Sequence, residues 1–189
     1  MNGDGLRLQA QGLPPRARMA LGLVLTWLLS PVLRFDDSEE GRRRSAECRR
    51  LLDQALGDVE EGPARSLIEE ATSADELQLE EEPDGPAAYR VDFLAALDYA
   101  LRSGTGDERA FVSCFSRVES TLEFLEEAGF VDEPPGLDDQ VLAVIDILQG
   151  ADPVDQALLA RLQDVMAPSR DHLAASETSL GDAATGRPG

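Results

Sequence analysis

The chain has 189 residues with seventeen arginines, no lysine, one histidine and thirty-seven acidic side chains, for a formal charge of −20. That balance argues against nucleic acid as a ligand, because phosphate binding needs clustered cations, and it permits a basic protein partner. The length suffices for one domain with a sizeable core, or a compact domain with tails.

The charge is unevenly distributed. Residues 1–50 hold nine arginines against six acids, whereas residues 58–84 hold eleven acids and one arginine. Aromatics are sparse, with one Trp, two Tyr and six Phe, so the core must come mainly from Leu, Val and Ala, which suits packed helices better than strands. A lysine-free chain rich in Ala, Gly and Pro points to GC-rich bacterial coding. Cys48 and Cys114 make no disulfide framework and have no zinc-ligand spacing. Each lies in an apolar helical pattern and reads as a small buried hydrophobe, and a reducing cytoplasm fits best.

In chain order, residues 1–13 are Gly-rich and read as an irregular, flexible N-terminus. Pro14-Pro15 opens a first helix, with Pro15 suited to the first helical position. The run Met19 to Leu33 is the most hydrophobic in the chain. Fifteen residues span about 22 Å, short of the ~30 Å hydrocarbon core, so a spanning helix is disfavoured. A signal peptide competes, since Arg16 and Arg18 precede the run, but Ser30-Pro31-Val32-Leu33 offers no small-residue cleavage site. Gly22, Thr26 and Ser30 recur every four residues in line with Arg18 and Arg34. A helix apolar around most of its circumference, with one stripe of small residues, reads as a central helix packed by several neighbours.

Asp36-Asp37-Ser38 supplies N-cap candidates for a helix to about Leu56, with Gly57 as its stop and Cys48, Leu51, Leu52, Ala55 and Leu56 at helical period. Gly62-Pro63 starts a short helix through Ala71, and residues 72–85 read as an acidic exposed linker. Pro86 introduces a helix to about Ser103 presenting Val91, Leu94, Leu97 and Leu101. Asp107 caps the next, whose Phe111, Phe115, Val118, Leu122 and Leu125 form the cleanest apolar stripe in the chain, closed by Gly129. Leu137 to Leu148 marks a sixth helix ending at Gly150. Asp152-Pro153 reads as N-cap and first position of a seventh, with Val154, Leu158, Leu162 and Val165. The prediction is an all-α domain of six or seven helices over residues 14–167, followed by a disordered tail over 168–189.

No catalytic or cofactor motif stands out, and neither a cofactor nor a metal is expected. His172, the only histidine, lies in the predicted tail without a rigid shell to position it. Glu119, Glu123 and Glu127 share a helix face and fit a solvated surface better than a cation site. Asp92 and Asp98, six apart, do not face each other. The cluster Arg42-Arg43-Arg44 with Arg49-Arg50 resembles a phosphate patch, yet Glu39 and Glu40 precede Arg43 and Arg44 by four residues, the favourable orientation for helical ion pairs. The acids of residues 58–84 can neutralise much of the rest.

Ala20 to Leu33 ending in Ser30-Pro31, the segment Ala95-Ala96-Leu97-Asp98-Tyr99-Ala100-Leu101, and Phe111 to Leu125 after a Gly/Asp turn carry a resemblance over about residues 15–150. The order of these elements resembles small all-helical bacterial proteins of unknown function, some of them similar to immunity proteins of toxin systems. The resemblance implies a binding protein and brings no functional residues with it. The sequence thus predicts a cytoplasmic, non-enzymatic helical protein that binds a basic protein partner. Glu69, Glu70, Asp75, Glu76, Glu80, Glu81, Glu82 and Asp84 are the candidate contact residues. The alternatives are a membrane-associated or exported protein using Met19–Leu33, and a carboxylate-metal enzyme.

Overall fold

Pro15 takes the first position of a helix that has no free turn on its surface. In this computed structural model, which describes residues 3–63, 65–74, 77, 86–132 and 134–185, that helix is α2 (Pro15–Leu28). From Ala17 to Val32 every side chain is buried except Trp27, which is half-buried. Pro31 has no N–H with which to continue the ladder, so the chain tightens into a 3-10 turn, Ser30–Arg34. The hydrophobic run is therefore split between two elements and packed on all sides by the rest of the fold. Among the described residues no helix is long and apolar enough to cross a membrane.

Around α2 stand α3 (Glu39–Gly57), α5 (Pro86–Ser103), α6 (Glu108–Glu127), α7 (Leu137–Gln149) and α8 (Gln156–Thr185), while α4 (Arg65–Thr72) lies against α3 and α5. Among the described residues the elements are helical throughout, one all-α bundle. The α5–α6 hairpin is its most extensive pairing. Sequence spacing presents α5 as a one-sided helix, but Phe93 to Asp98 are all buried, as are Ala100 and Leu101. Ala95, Ala96 and Ala100 let neighbours approach on several sides, so α5 is a second central helix beside α2.

The stripe of small residues on α2 has a specific use at each position. Gly22 sits where α2 and α5 touch: a Cβ there would lie 2.8 Å from Ala100 Cβ and 3.3 Å from Cys114 Sγ. Thr26 Oγ1 donates to the Gly22 carbonyl at 2.8 Å, and Ser30 Oγ accepts from Arg170 Nε at 3.2 Å. Burial pushes the Cys114 thiol up to about 12, so it stays protonated as a core side chain. Ser38 caps α3, its Oγ accepting from Gly41 N at 2.9 Å, and Asp107 caps α6, accepting from Ala110 N at 3.0 Å.

Three boundaries depart from the sequence expectation. The N-terminus predicted to be irregular over 1–13 contains a helix, α1 (Gly3–Gln11), because Leu6, Ala10 and Leu13 fall at helical spacing and bury against α6 and α7. The last helix begins at Gln156, not at Pro153. Asp155 is its cap, accepting from Leu158 N at 2.7 Å, while the Gln156 amide donates to Leu56 O at 2.6 Å and Gly57 O at 2.9 Å, closing the end of α3. Of the predicted stripe Val154 and Leu162 are buried while Leu158 and Val165 are only partly so, and the buried face of α8 is Leu159, Leu162, Met166, Ser169 and Leu173. That face continues across Pro168, so residues 168–185, predicted to be a disordered tail, extend α8. Arg170 fixes this stretch by stacking 4.6 Å above the Trp27 ring.

One buried cation is poorly served. Arg18 is 4% exposed, its Nη1 is 3.5 Å from Glu108 Oε1, and its Nε and Nη1 make no hydrogen bond. A weakly paired charge removed from water is replaceable by an apolar side chain. Arg18→Met is expected to leave thermal stability unchanged or raise it by about 1 kcal/mol or more. A thermal melt showing a loss of that size would contradict the reading.

Candidate functional site

Ordinary helix packing leaves a cavity of about 360 Å³ between α3, the C-terminal end of α4 and α5. Its floor is Cys48, Leu51, Ala74 and Leu94; Arg43, Arg44, Glu47, Glu70 and Ser73 form its rim. The rim arginines come from the cluster read in the sequence, and each is held by an acid. Glu40 accepts from Arg43 Nη2 at 2.7 Å and from Arg44 Nε at 2.6 Å. These hydrogen bonds, Arg43's first, hold the Glu40 carboxyl down to about 2. The Arg43 pairing is i,i+3 from Glu40, where the sequence suggested i,i+4 from Glu39. Arg50 donates to Glu47 Oε1 at 2.7 Å and also engages Glu70, tying α3 to α4.

Of the acids proposed to contact a partner, two are among the described residues. Glu69 pairs with Arg65 within α4 at 2.9 Å, and Glu70 pairs with Arg50 of α3. Their side chains remain 66% and 46% exposed, so both still face solvent. Asp75, Glu76, Glu80, Glu81, Glu82 and Asp84, with most of the acidic linker 72–85, lie outside the described residues. The structure thus brings Glu70 to the edge of the cleft, with Glu69 exposed beside it on α4 but not lining it.

The other carboxylates considered in the sequence separate by role. Asp92 Oδ1 accepts from Arg117 Nη1 at 2.9 Å and Oδ2 from Thr121 at 3.1 Å, whereas buried Asp98 accepts from Thr72 Oγ1 at 2.8 Å. They face α6 and α4 respectively and form no pair. Glu123 and Glu127 are exposed on the side of α6 away from Phe115 and Leu122. His172 lies on α8, with Nε2 3.2 Å from the Asp132 carbonyl oxygen. Among the described residues no three His, Cys, Asp or Glu side chains converge as they would to hold a metal ion.

A second feature escapes sequence reading. At the end of the bundle where α6 stops and α5 starts, four aromatic rings form a ladder. Phe124 lies 6.3 Å from Tyr89, Tyr89 5.2 Å from Phe35 in edge-to-face geometry, and Phe35 6.2 Å from Phe130. Gly129 takes φ +71°, so Phe130 N donates to Leu125 O at 2.9 Å and Gly129 N to Glu126 O at 2.9 Å, a Schellman closure that sets Phe130 in place. Phe124 itself is 55% exposed. Its neighbours Glu123, Glu126 and Glu127 are exposed too, and no basic residue occupies the last turn. Acids at that end oppose the helix dipole by about 0.3–1 kcal/mol each. The usable signal was that Phe124 stands off the Phe111–Leu125 stripe.

Comparison with protein families, with curated proteins and with solved structures found no match.

Proposed function

We propose that the protein is a non-enzymatic, acidic helical protein of the bacterial cytoplasm that binds a basic protein partner, in its sharpest form an inhibitor of the immunity type occluding that partner. The observation that carries this reading is the internal engagement of the arginine cluster. Arg43, Arg44 and Arg50, three of its five arginines, are engaged by Glu40, Glu47 and Glu70, so much of the patch that resembles a phosphate site is met internally while the chain keeps a charge of −20. A surface with that surplus steers a cationic partner into encounter, and apolar contacts then set how long it stays. Glu69 and Glu70, with Asp75, Glu76, Glu80, Glu81, Glu82 and Asp84 beside them in sequence, are the acids proposed to meet it. The resemblance to immunity-like helical proteins agrees with this form of the reading.

Affinity purification from the native host at low and at moderate salt tests it. A basic protein should co-purify at low salt and fall away as salt shortens the screening length to about 8–10 Å. Recovery of the same partner at equal yield under both conditions, or of acidic partners alone, would sink the proposal.

A further inference from the structure

We propose that the exposed Phe124 ring is the apolar anchor of the contact with the basic partner, entering a pocket whose rim carries that partner's arginine or lysine side chains. This rests on the reading of the protein as a binder of a basic partner and names the surface that does it. Among the described residues the exposed large apolar side chains are Phe124, at 55%, and Leu8, at 69%. Only Phe124 has a built support. Tyr89, 94% buried, stands behind it, with Phe35 and Phe130 completing the ladder. A ring held on a rigid base loses little freedom on binding, which is the property of an interface anchor.

Charge selects the occupant. Glu123, Glu126 and Glu127 surround Phe124 on its own helix, and Asp132 is exposed just beyond the closing Gly129. Of the two arginines next to ladder residues in sequence, Arg90 is buried and pairs with Asp36 at 2.6 Å, and exposed Arg34 sits beside Phe35, two rings away from Phe124. These carboxylates lie where they oppose the dipole of α6, a local rule broken without structural return, as happens at functional surfaces. A second copy of the chain would bring like charge against like charge at a net −20 each. An aromatic centre with an acidic rim instead complements a cationic, pocketed protein.

The probes are a short amphipathic helical peptide of leucine and arginine and an oligoarginine of equal charge, titrated calorimetrically into the full chain. The leucine–arginine peptide should bind more tightly than the oligoarginine and lose affinity as salt rises. Phe124→Ala should weaken it by about tenfold or more, Phe124→Tyr should retain it, and Leu8→Ala should leave it within about twofold of wild type. A folded Phe124→Ala protein that binds as well as wild type overturns the anchor while leaving the acidic-surface reading standing. Equal losses from Leu8→Ala and Phe124→Ala overturn it as well. Failure of wild type to bind either peptide removes both the anchor and the reading on which it rests.

Discussion

Gly22→Val is expected to destabilise the protein by about 3 kcal/mol or more, since it drives a branched side chain into the contact between the two central helices. Position 22 faces Ala100, whose Cα would lie 3.1 Å from the first added carbon and whose Cβ would lie 2.8 Å away. Neither side can yield cheaply, because Ala100 is part of α5, buried around most of its circumference. Gly22→Ala separates the opposing effects. Alanine is the better helix former by about 0.8–1.0 kcal/mol. Overpacking at a fixed backbone costs about 1–3 kcal/mol, so a net loss is expected. Ala100→Gly should recover part of that loss in the Gly22→Ala background, a coupling readable in a double-mutant cycle. A more stable Gly22→Ala protein would mean that α2 and α5 do not approach as described.

Asp36→Ala is expected to cost about 2–3 kcal/mol, from a charge-assisted hydrogen bond and the capping bonds it organises. Asp36 Oδ2 accepts from Arg90 Nη1 at 2.6 Å, and Oδ1 accepts from Ser38 Oγ at 2.7 Å and Ser38 N at 3.2 Å. One carboxylate thus joins the start of α3 to the start of α5. Gly41 makes room for it, since a Cβ at that position would overlap the Asp36 carboxylate; Gly41→Ala should reproduce much of the loss. The Ser38 hydrogen bonds, then Arg90, hold the Asp36 carboxyl below its usual 3.8. A depressed carboxylate stabilises the fold fully above its unfolded value, and that contribution disappears as pH falls through the folded value. Asp36→Asn should therefore be clearly less stable than wild type at neutral pH, and the gap should close below pH 3.8. Denaturant melts of both proteins across that range check the sign. A gap independent of pH would place the effect in packing rather than charge.

Much of the fold was legible because its signals are local. Pro15, Ser38, Asp107 and Gly129 mark helix ends by geometry that needs no partner, and the Phe111–Leu125 stripe is long enough to fix a buried face. The failures came where tertiary contact outweighs local chemistry. Pro168 and the small polar residues after it suggest an end, yet Leu173 and the Arg170–Trp27 stack hold the helix. Pro153 follows a plausible cap, yet Gln156 starts the helix because its amide meets the end of α3. Asp98 and Arg90 are charged residues that nothing local marks as buried, yet contact with Thr72 at the end of α4 and with Asp36 accompanies their burial. For the candidate site, acid-rich composition pointed to residues 58–84, and of its described acids Glu70 lies at the cleft edge while Glu69 is exposed next to it on α4. The aromatic ladder was not legible, because Phe35, Tyr89 and the Phe124–Phe130 stretch are three segments joined only when α5 packs on both α6 and the 3-10 turn before Phe35.

The association rate constant with the co-purified partner, measured by stopped flow at low and high salt, tests the proposed function most directly. Electrostatic steering lifts association from about 10⁵–10⁶ toward 10⁸ M⁻¹s⁻¹ at low salt, so a fall of about tenfold or more with added salt is predicted. A rate constant that stays within about twofold across that range would contradict an acidic surface acting on a basic partner.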